Sequence, residues 1–539
     1  MKKLVSLFIC LAFAATAMAK PAYRGPITRT LEDGTEKVVY LHGDEHFHYM
    51  TDEAGEWLDE TTLTPLSAEA KAAKVESGKK IAKILCARRA KEGVGDKPNP
   101  ASHGIVILAE FQDAQFTKMP KDTADSMLNA VHFTRKYQYR TKENGVIKIV
   151  KVHSEGSVRK YFQDQSYGQY NPHFDVIGPV TLSQNTEYYG APVKDSQGEV
   201  TNHDVRPREM VIEACEKAKA AGADFSQYDN NNDGLVDFVY VIYAGYGEAD
   251  GGGENTIWPH QWDVSVKGKY IDGKKLGRYA CGCELDYQIK VYDGIGTFCH
   301  EFSHVLGLPD FYITDYKSDH HTLSDWDVMD YGPYNNHGNT PAAYSAYERF
   351  YMGWLTPRLL DEPENVTLNP INKGNGSSLV ITENNVLPTP SWQPIPNRFY
   401  LLETRELSGW DEYLPGAGML ITEVQYDYNK WRSNTVNNDA SAMGVNILEA
   451  TPNIGTFGNA TDAYPAGATE WTALADHELT NISLDESTGA VRFLYRGGWA
   501  EGIEDIEAEG SVRKVLRDGK IVIIRNGVTY DLNGQTLDR

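Results

Sequence analysis

The chain has 539 residues, 41% of them apolar, and 75 acidic against 52 basic side chains leave a net charge of −23. At about 150 residues per domain this length predicts three to four domains, and the composition excludes global disorder. Such acidity disfavours nucleic-acid binding, since it repels phosphate backbones, and suits an exported protein or one that holds cations.

In chain order, Lys2-Lys3, the apolar run Leu4 to Thr16 and the small-x-small triplet Ala17-Met18-Ala19 predict a signal peptide over 1–19, with Lys20 as the first exported residue. No later run approaches the roughly 18 apolar residues of a transmembrane segment. Loss of Cys10 with the signal leaves Cys86, Cys215, Cys281, Cys283 and Cys299, an odd set that flags a free thiol or a processing event.

Residues 20–100 read as a propeptide-like unit and linker. Val38 to Leu41 and His46 to Tyr49 are strands around a Gly43-Asp44 turn, and Ser67 caps a helix running toward Arg89. His46 and His48 are read as strand residues rather than ligands. Glu92 to Pro100 is a Gly/Pro-rich linker.

Residues 101–357 alternate strand and helix signals: Gly104 to Ala109, a helix opened by Ser157, extended Phe174 to Leu182, a helix over Pro207 to Ala220, and a strand Phe238 to Tyr243 that stops before Gly245. Residues 358–500 carry strand signals only and predict a β-sandwich. Residues 501–539 predict a small β-meander turned by Asp518-Gly519 and Asn526-Gly527, dipeptides that tolerate positive φ. The fold class is α+β.

His300-Glu301-Phe302-Ser303-His304 is the informative segment. Histidines four apart project from one helix face, and two imidazoles can share one zinc ion. Glu301 reaches a metal-bound water rather than the metal. Gly307 ends the helix in a left-handed conformation and turns the chain so that Asp310 supplies a third ligand, leaving one position open, as in catalytic zinc sites. Glu348, on a helix over Ala342 to Met352, is the rival third ligand. By chance an H-[DE]-x-x-H match arises only about 0.06 times in a chain of this composition. Downstream, Met329 packs beneath the histidines and Tyr331 brings a phenol beside the metal. Zinc lowers the pKa of its water toward about 7, and Glu301 takes the proton as the water attacks a peptide carbonyl.

A second cation site is read at Asp229-Asn230-Asn231-Asn232-Asp233-Gly234-Leu235-Val236-Asp237. Asp229, Asn231, Asp233 and Asp237 present side-chain oxygens, Leu235 a carbonyl, and Gly234 the sharp turn, which suits a structural Ca²⁺. Tyr240 stands where an EF-hand would have its bidentate glutamate.

The helix, its return to Asp310 and the following Trp326-Asp327-Val328-Met329-Asp330-Tyr331 resemble the metzincin clan, and Gly307-Leu308-Pro309-Asp310 resembles the immune-inhibitor-A-like secreted bacterial zinc metalloproteases. Gly156 to Phe162, Ser166 to Gln169, Ile257 to His260 and Gly409 to Gly416 carry the resemblance over roughly residues 100–495. It implies zinc on His300, His304 and Asp310, Glu301 as base and proton shuttle, Met329 as the Met-turn residue, and Tyr331 stabilising the tetrahedral intermediate. The expected function is a secreted zinc endopeptidase acting on protein or peptide substrates. A non-catalytic zinc-containing surface binding protein and a zinc hydrolase of non-peptide substrates are the alternatives. An extra N-terminal unit suggests a zymogen. Cys86, as a zinc-binding thiolate or a plain buried thiol, would leave with it if cleavage followed Arg88-Arg89. The segment Lys514 to Gly534 resembles the sorting domains of type IX secretion, implying outer-membrane secretion machinery and surface attachment. A capping sheet of the mature enzyme is the other reading.

Overall fold

A computed structural model describes residues 19–537 except 32, 93–97, 99–100, 144–145, 195–199, 203–205, 317–319, 375, 453–456, 499–511, 518–519 and 526–527. Residues 1–18 of the expected 1–19 signal sequence, most of the 92–100 linker, the side chain of Cys86 and the two C-terminal hairpin dipeptides lie outside the described residues.

The N-terminal unit is a four-stranded antiparallel meander, β1 (Ile27–Thr30), β2 (Glu36–Gly43), β3 (His48–Thr51) and β4 (Trp57–Leu58), followed by α1 (Ala68–Glu92). Strand periodicity decides its packing: Val39 and Leu41 are buried while Val38 is exposed. The buried side joins Ala249 and Trp258 of the next unit in one apolar cluster. Ser67 accepts from the Ala70 N–H at the start of α1. Asp44 binds the His46 N–H and fixes a turn there, so His46 precedes the strand and only His48 lies in it.

The second unit is built on a five-stranded sheet in the order β8 (His260–Asp263), β9 (Arg278–Leu285), β7 (Val239–Tyr246), β5 (His103–Glu110), β6 (His173–Thr181). All pairings are parallel except that of edge strand β8. Between β5 and β6 comes α2 (Val158–Gln165), N-capped by Ser157, and between β6 and β7 comes α3 (Pro207–Ala220). β7 continues past Gly245, against the sequence expectation, by shifting its pairing register between Tyr243 and Tyr246. The near-continuous apolar runs follow from burial on both faces. Ile105, Ile107, Val239 and Val241 meet Val211, Ala214 and Cys215 of α3. Val106, Leu108, Tyr240 and Ile242 meet Phe298, Phe302 and Val305 of α4 (Gly296–Leu306). Every residue of α4 is buried. A Cβ on Gly296 would stand 2.0 Å from the Pro333 carbonyl oxygen, so only glycine lets this helix start so close to the 333–338 loop. α5 (Ala346–Tyr351) closes the unit.

Beyond it, a five-stranded sheet orders β10 (Arg358–Leu359), β12 (Leu379–Ile381), β13 (Arg398–Arg405), β14 (Gly418–Gln425) and β15 (Val445–Ile447). A three-stranded sheet orders β11 (Glu364–Leu368), β17 (Ala490–Tyr495) and β16 (Leu479–Asp485). The two share one buried cluster that includes Val366, Leu402, Ile421 and Phe493. β18 (Val512–Arg517), β19 (Lys520–Arg525) and β20 (Val528–Tyr530) pair in a separate antiparallel sheet. Cys215, Cys281, Cys283 and Cys299 are buried and form no disulfide. Among the described residues no helix is long and apolar enough to cross a membrane.

Candidate metal centre

α4 carries His300 and His304 on one face. Each Nδ1 is committed to a backbone carbonyl, His300 to Val328 at 2.7 Å and His304 to Leu308 at 2.8 Å. Nδ1–H donation of this kind sets the tautomer and leaves both Nε2 lone pairs directed inward. The helix ends at Gly307, with φ of 112°, whose N–H and that of Leu308 both return to the Ser303 carbonyl. The turn brings Asp310 back to the histidines: its Oδ1 lies 3.3 Å from His300 Nε2 and 3.1 Å from His304 Nε2, and the two Nε2 atoms are 3.1 Å apart.

All three side chains are fully or almost fully buried, and Asp310 Oδ1 has no hydrogen-bond donor. Three lone-pair atoms facing one another at this spacing repel unless a cation lies between them. Tetrahedral ligands about 2.0–2.1 Å from one ion are separated by about 3.3 Å, so the donor set and its spacing fit zinc. Burial opposes protonation of His300 and lowers its pKa, which keeps a nitrogen free to ligate. Burial works against the charge on Asp310, and what holds its pKa down is positive charge at the ring nitrogens, carried by protonated His304 and His300 or by a cation in their place. The rival Glu348 is not in this cluster; its Oε2 accepts from the Ser345 N–H at 2.6 Å and closes the capping box of α5.

Glu301 is wholly buried next to His300. Its Oε2 has no hydrogen-bond partner, and its Oε1 accepts from the backbone N–H of Lys20 at 2.9 Å. Burial pushes its pKa well up, and nearby Asp310 adds to the shift. Residues 19–24 thus run through the centre of the site. The Ala19 carbonyl accepts from the Tyr312 hydroxyl, the Lys20 carbonyl from Trp258 Nε1 at 3.1 Å, and the Pro21 carbonyl from Tyr334 at 2.7 Å. The Arg24 guanidinium lies 3.1 Å over the ring of Tyr331. Met329 is fully buried in the core that contains α4, and its carbonyl accepts from the Phe311 N–H.

Sequence reasoning missed Asn434. Its Oδ1 accepts from the Asp310 N–H at 2.7 Å and its amide donates to Asp310 Oδ2, so it fixes which carboxylate oxygen faces the histidines. It also missed Tyr312 and the contacts of Lys20. No local pattern signals these residues, since the partners are 124 residues apart for Asn434 and 281 for Lys20 and Glu301.

In the 229–237 loop the carboxylates are turned inward. Asp229 Oδ2 meets the Lys274 ammonium at 2.6 Å and the Gly234 N–H at 3.0 Å, Asp233 Oδ1 binds the Leu235 N–H, and Asp237 Oδ2 binds the Asn230 N–H. Asn231 donates to Asp233 Oδ2 at 3.0 Å. A lysine ammonium therefore sits on the first carboxylate of the set expected to hold calcium.

Residues 96–355 match the family described as the catalytic domain of immune inhibitor A peptidase M6. The chain is similar to "Immune inhibitor A" of Bacillus thuringiensis subsp. alesti, 29% identical over 302 residues that cover 50% of this chain and 42% of that relative. It is similar to "Pre-pro-metalloprotease PrtV" of Vibrio cholerae serotype O1 (strain M66-2), 30% identical over 225 residues, 36% of this chain and 23% of that protein. The chain thus spans less than half the length of the curated relatives it matches. The immune-inhibitor-A resemblance read from the motif is carried by these matches too: residues 96–355 are similar to the peptidase catalytic domain of immune inhibitor A.

Proposed function

We propose that this protein is a secreted zinc-dependent endopeptidase. The observation that carries the proposal is the buried triangle of His300, His304 and Asp310, with an undonated Asp310 Oδ1, beside a glutamate whose Oε2 is unpartnered. Zinc held there supplies a Lewis acid and a water acidified toward pH ~7. Glu301 takes the proton of the attacking water and returns it to the leaving nitrogen, and the Lys20 N–H on its Oε1 marks where such a nitrogen lies. Tyr312 donates to the carbonyl of Ala19, the residue the expected signal cleavage removes, so in the exported chain its hydroxyl would be released to steady the charge that develops on a substrate carbonyl oxygen. Tyr331 would take part once Arg24 leaves its ring. A structural zinc site would have no use for a buried glutamate with an open oxygen, which weighs against a non-catalytic binding protein.

In the same reading the catalytic domain is metzincin-like and spans 101–357, a β-sandwich follows over 358–500, and residues 20–100 form a propeptide. The passage of residues 20–24 through the site supports a zymogen whose N-terminal segment blocks access until it is removed. The last sheet, β18 to β20, would serve sorting to the surface. Calcium would have to displace Lys274 from Asp229. A melting temperature that is the same with and without calcium would remove that ion from the account.

The test is casein digestion, with and without a zinc chelator, by protein whose N-terminal segment has been removed by limited proteolysis. Glu301→Ala should still bind one zinc while turnover drops by a factor of about 10²–10⁴. Casein digestion by metal-free protein would end the proposal.

A further inference from the structure

The side chain of Lys20 does not reach solvent. It is 2% exposed, and its ammonium enters a pocket between the 248–250 turn, α4 and the 333–338 loop. Its three N–H donors are met by three acceptors: Asp250 Oδ1 at 3.1 Å, Asp250 Oδ2 at 3.2 Å and Thr297 Oγ1 at 3.0 Å. Thr297 gives its own proton to Asp293 Oδ2 at 2.9 Å, which leaves its oxygen free to accept. The face of Tyr334 lies 4.6 Å from the ammonium and forms an aromatic wall. Asp286 adds a third buried carboxylate to the lining. Burial disfavours the charge on Lys20, yet Asp250 and then Asp293 outweigh it and the ammonium stays protonated.

The position of this pocket is set by covalent geometry. Thr297 lies one helical turn before Glu301 on the same helix face. The backbone nitrogen of the very residue whose side chain fills the pocket is the one bound to Glu301. In a peptidase the group that protonates the leaving nitrogen defines the residue on the carboxy side of the cleaved bond. We propose that Asp250, Thr297 and Tyr334, backed by Asp293, form a specificity pocket that selects lysine on the carboxy side of the bond to be cleaved. Lys20 is its built-in occupant.

An apolar side chain would leave Asp250 without the ammonium that neutralises it and Thr297 Oγ1 without the Lys20 donor in a buried site, which is a strong form of rejection for a pocket. A glutamate would add repulsion. Arginine is longer, and its planar fork cannot direct three donors as a tetrahedral ammonium does. Lysine should therefore be preferred over arginine as well.

This inference rests on the peptidase reading, and the experiment separates the two. The full chain is loaded with zinc and opened by brief exposure to subtilisin, which is then inactivated with a serine-protease inhibitor. It is given peptides identical except for Lys, Arg, Met or Glu at one position, and the cleaved bonds are located by mass spectrometry. We expect cleavage before Lys with a kcat/KM at least about tenfold above that before Met, and a ratio near one in Asp250→Asn. A second readout needs no variant: n-butylamine should inhibit cleavage of the Met peptide and n-butanol should not. Equal cleavage of the Lys and Met peptides by the wild type, an unchanged ratio in folded, zinc-loaded Asp250→Asn, or equal inhibition by amine and alcohol would each overturn the pocket assignment. Failure to cleave casein or any peptide would overturn the peptidase reading beneath it.

Discussion

Asn434 shows how much of a metal centre lies outside its ligands. It holds Asp310 by both a side-chain acceptor and a side-chain donor, from a left-handed position at the end of the short helix Tyr428–Ser433. Asn434→Ala should leave His300, His304 and Asp310 in place but let the carboxylate rotate. The expected loss is about 10–100-fold in zinc affinity, read by competition with a chromophoric chelator. An affinity equal to the wild type would show that the Gly307 turn alone orients Asp310. The clustering of His300, His304 and Asp310 was legible in the sequence because a helix repeats every 3.6 residues and the return to Asp310 takes six, so the whole constellation is local. Asn434, Tyr312 and Asp250 were not legible, because nothing in their neighbourhoods encodes a partner more than a hundred residues away.

Among the elements, α4 and its turn have the narrowest tolerance. Gly307→Ala would place a Cβ in the left-handed region at a cost of about 1–2 kcal/mol and shift the approach to Asp310. The expected outcome is a lower melting temperature together with weaker zinc binding; an unchanged pair of values would mean that the turn adapts freely. β3 gives a pH-dependent case. Burial works against a charge on His48, but Glu248 at 3.3 Å and Glu60 at 3.6 Å raise its pKa well above 6.5, while Lys74 in turn contacts Glu60 and Glu254 lies near Glu248. A raised folded-state pKa means that this contact stabilises fully below about pH 6.5 and is lost as pH rises through the higher folded value. Burial likewise raises the pKa of Glu248, which acts in the same direction. The N-terminal meander should therefore hold the catalytic unit more weakly in alkali. Wild type and His48→Gln should differ in melting temperature at pH 6 and converge at high pH; a constant gap would refute the account. Strand existence was readable here from alternation, whereas the start of β3 was not, because the Asp44 turn claims His46 first.

Over the whole molecule, the catalytic site is completed by the sheets that follow it. Asn437 donates to the Phe311 carbonyl and Asn438 accepts from the Thr314 N–H, so together with Asn434 the segment 310–314 is held from outside residues 96–355. A chain ending at residue 357 should bind zinc poorly and show no activity, while one ending at residue 498 should keep its zinc affinity and its activity, because among the described residues β18 to β20 form a sheet of their own. Full zinc affinity in the shorter chain would contradict this division of labour. The order of units was readable from where helix signals give way to strands, but their interlocking was not, since it depends on side-chain amides meeting backbone groups across the interface. The four buried thiols carry a different consequence. No disulfide joins Cys215, Cys281, Cys283 or Cys299, so the described residues offer no disulfide bond for a reductant to attack. The described fold should therefore refold from denaturant equally well with and without dithiothreitol, and a lower yield in the reductant would contradict this.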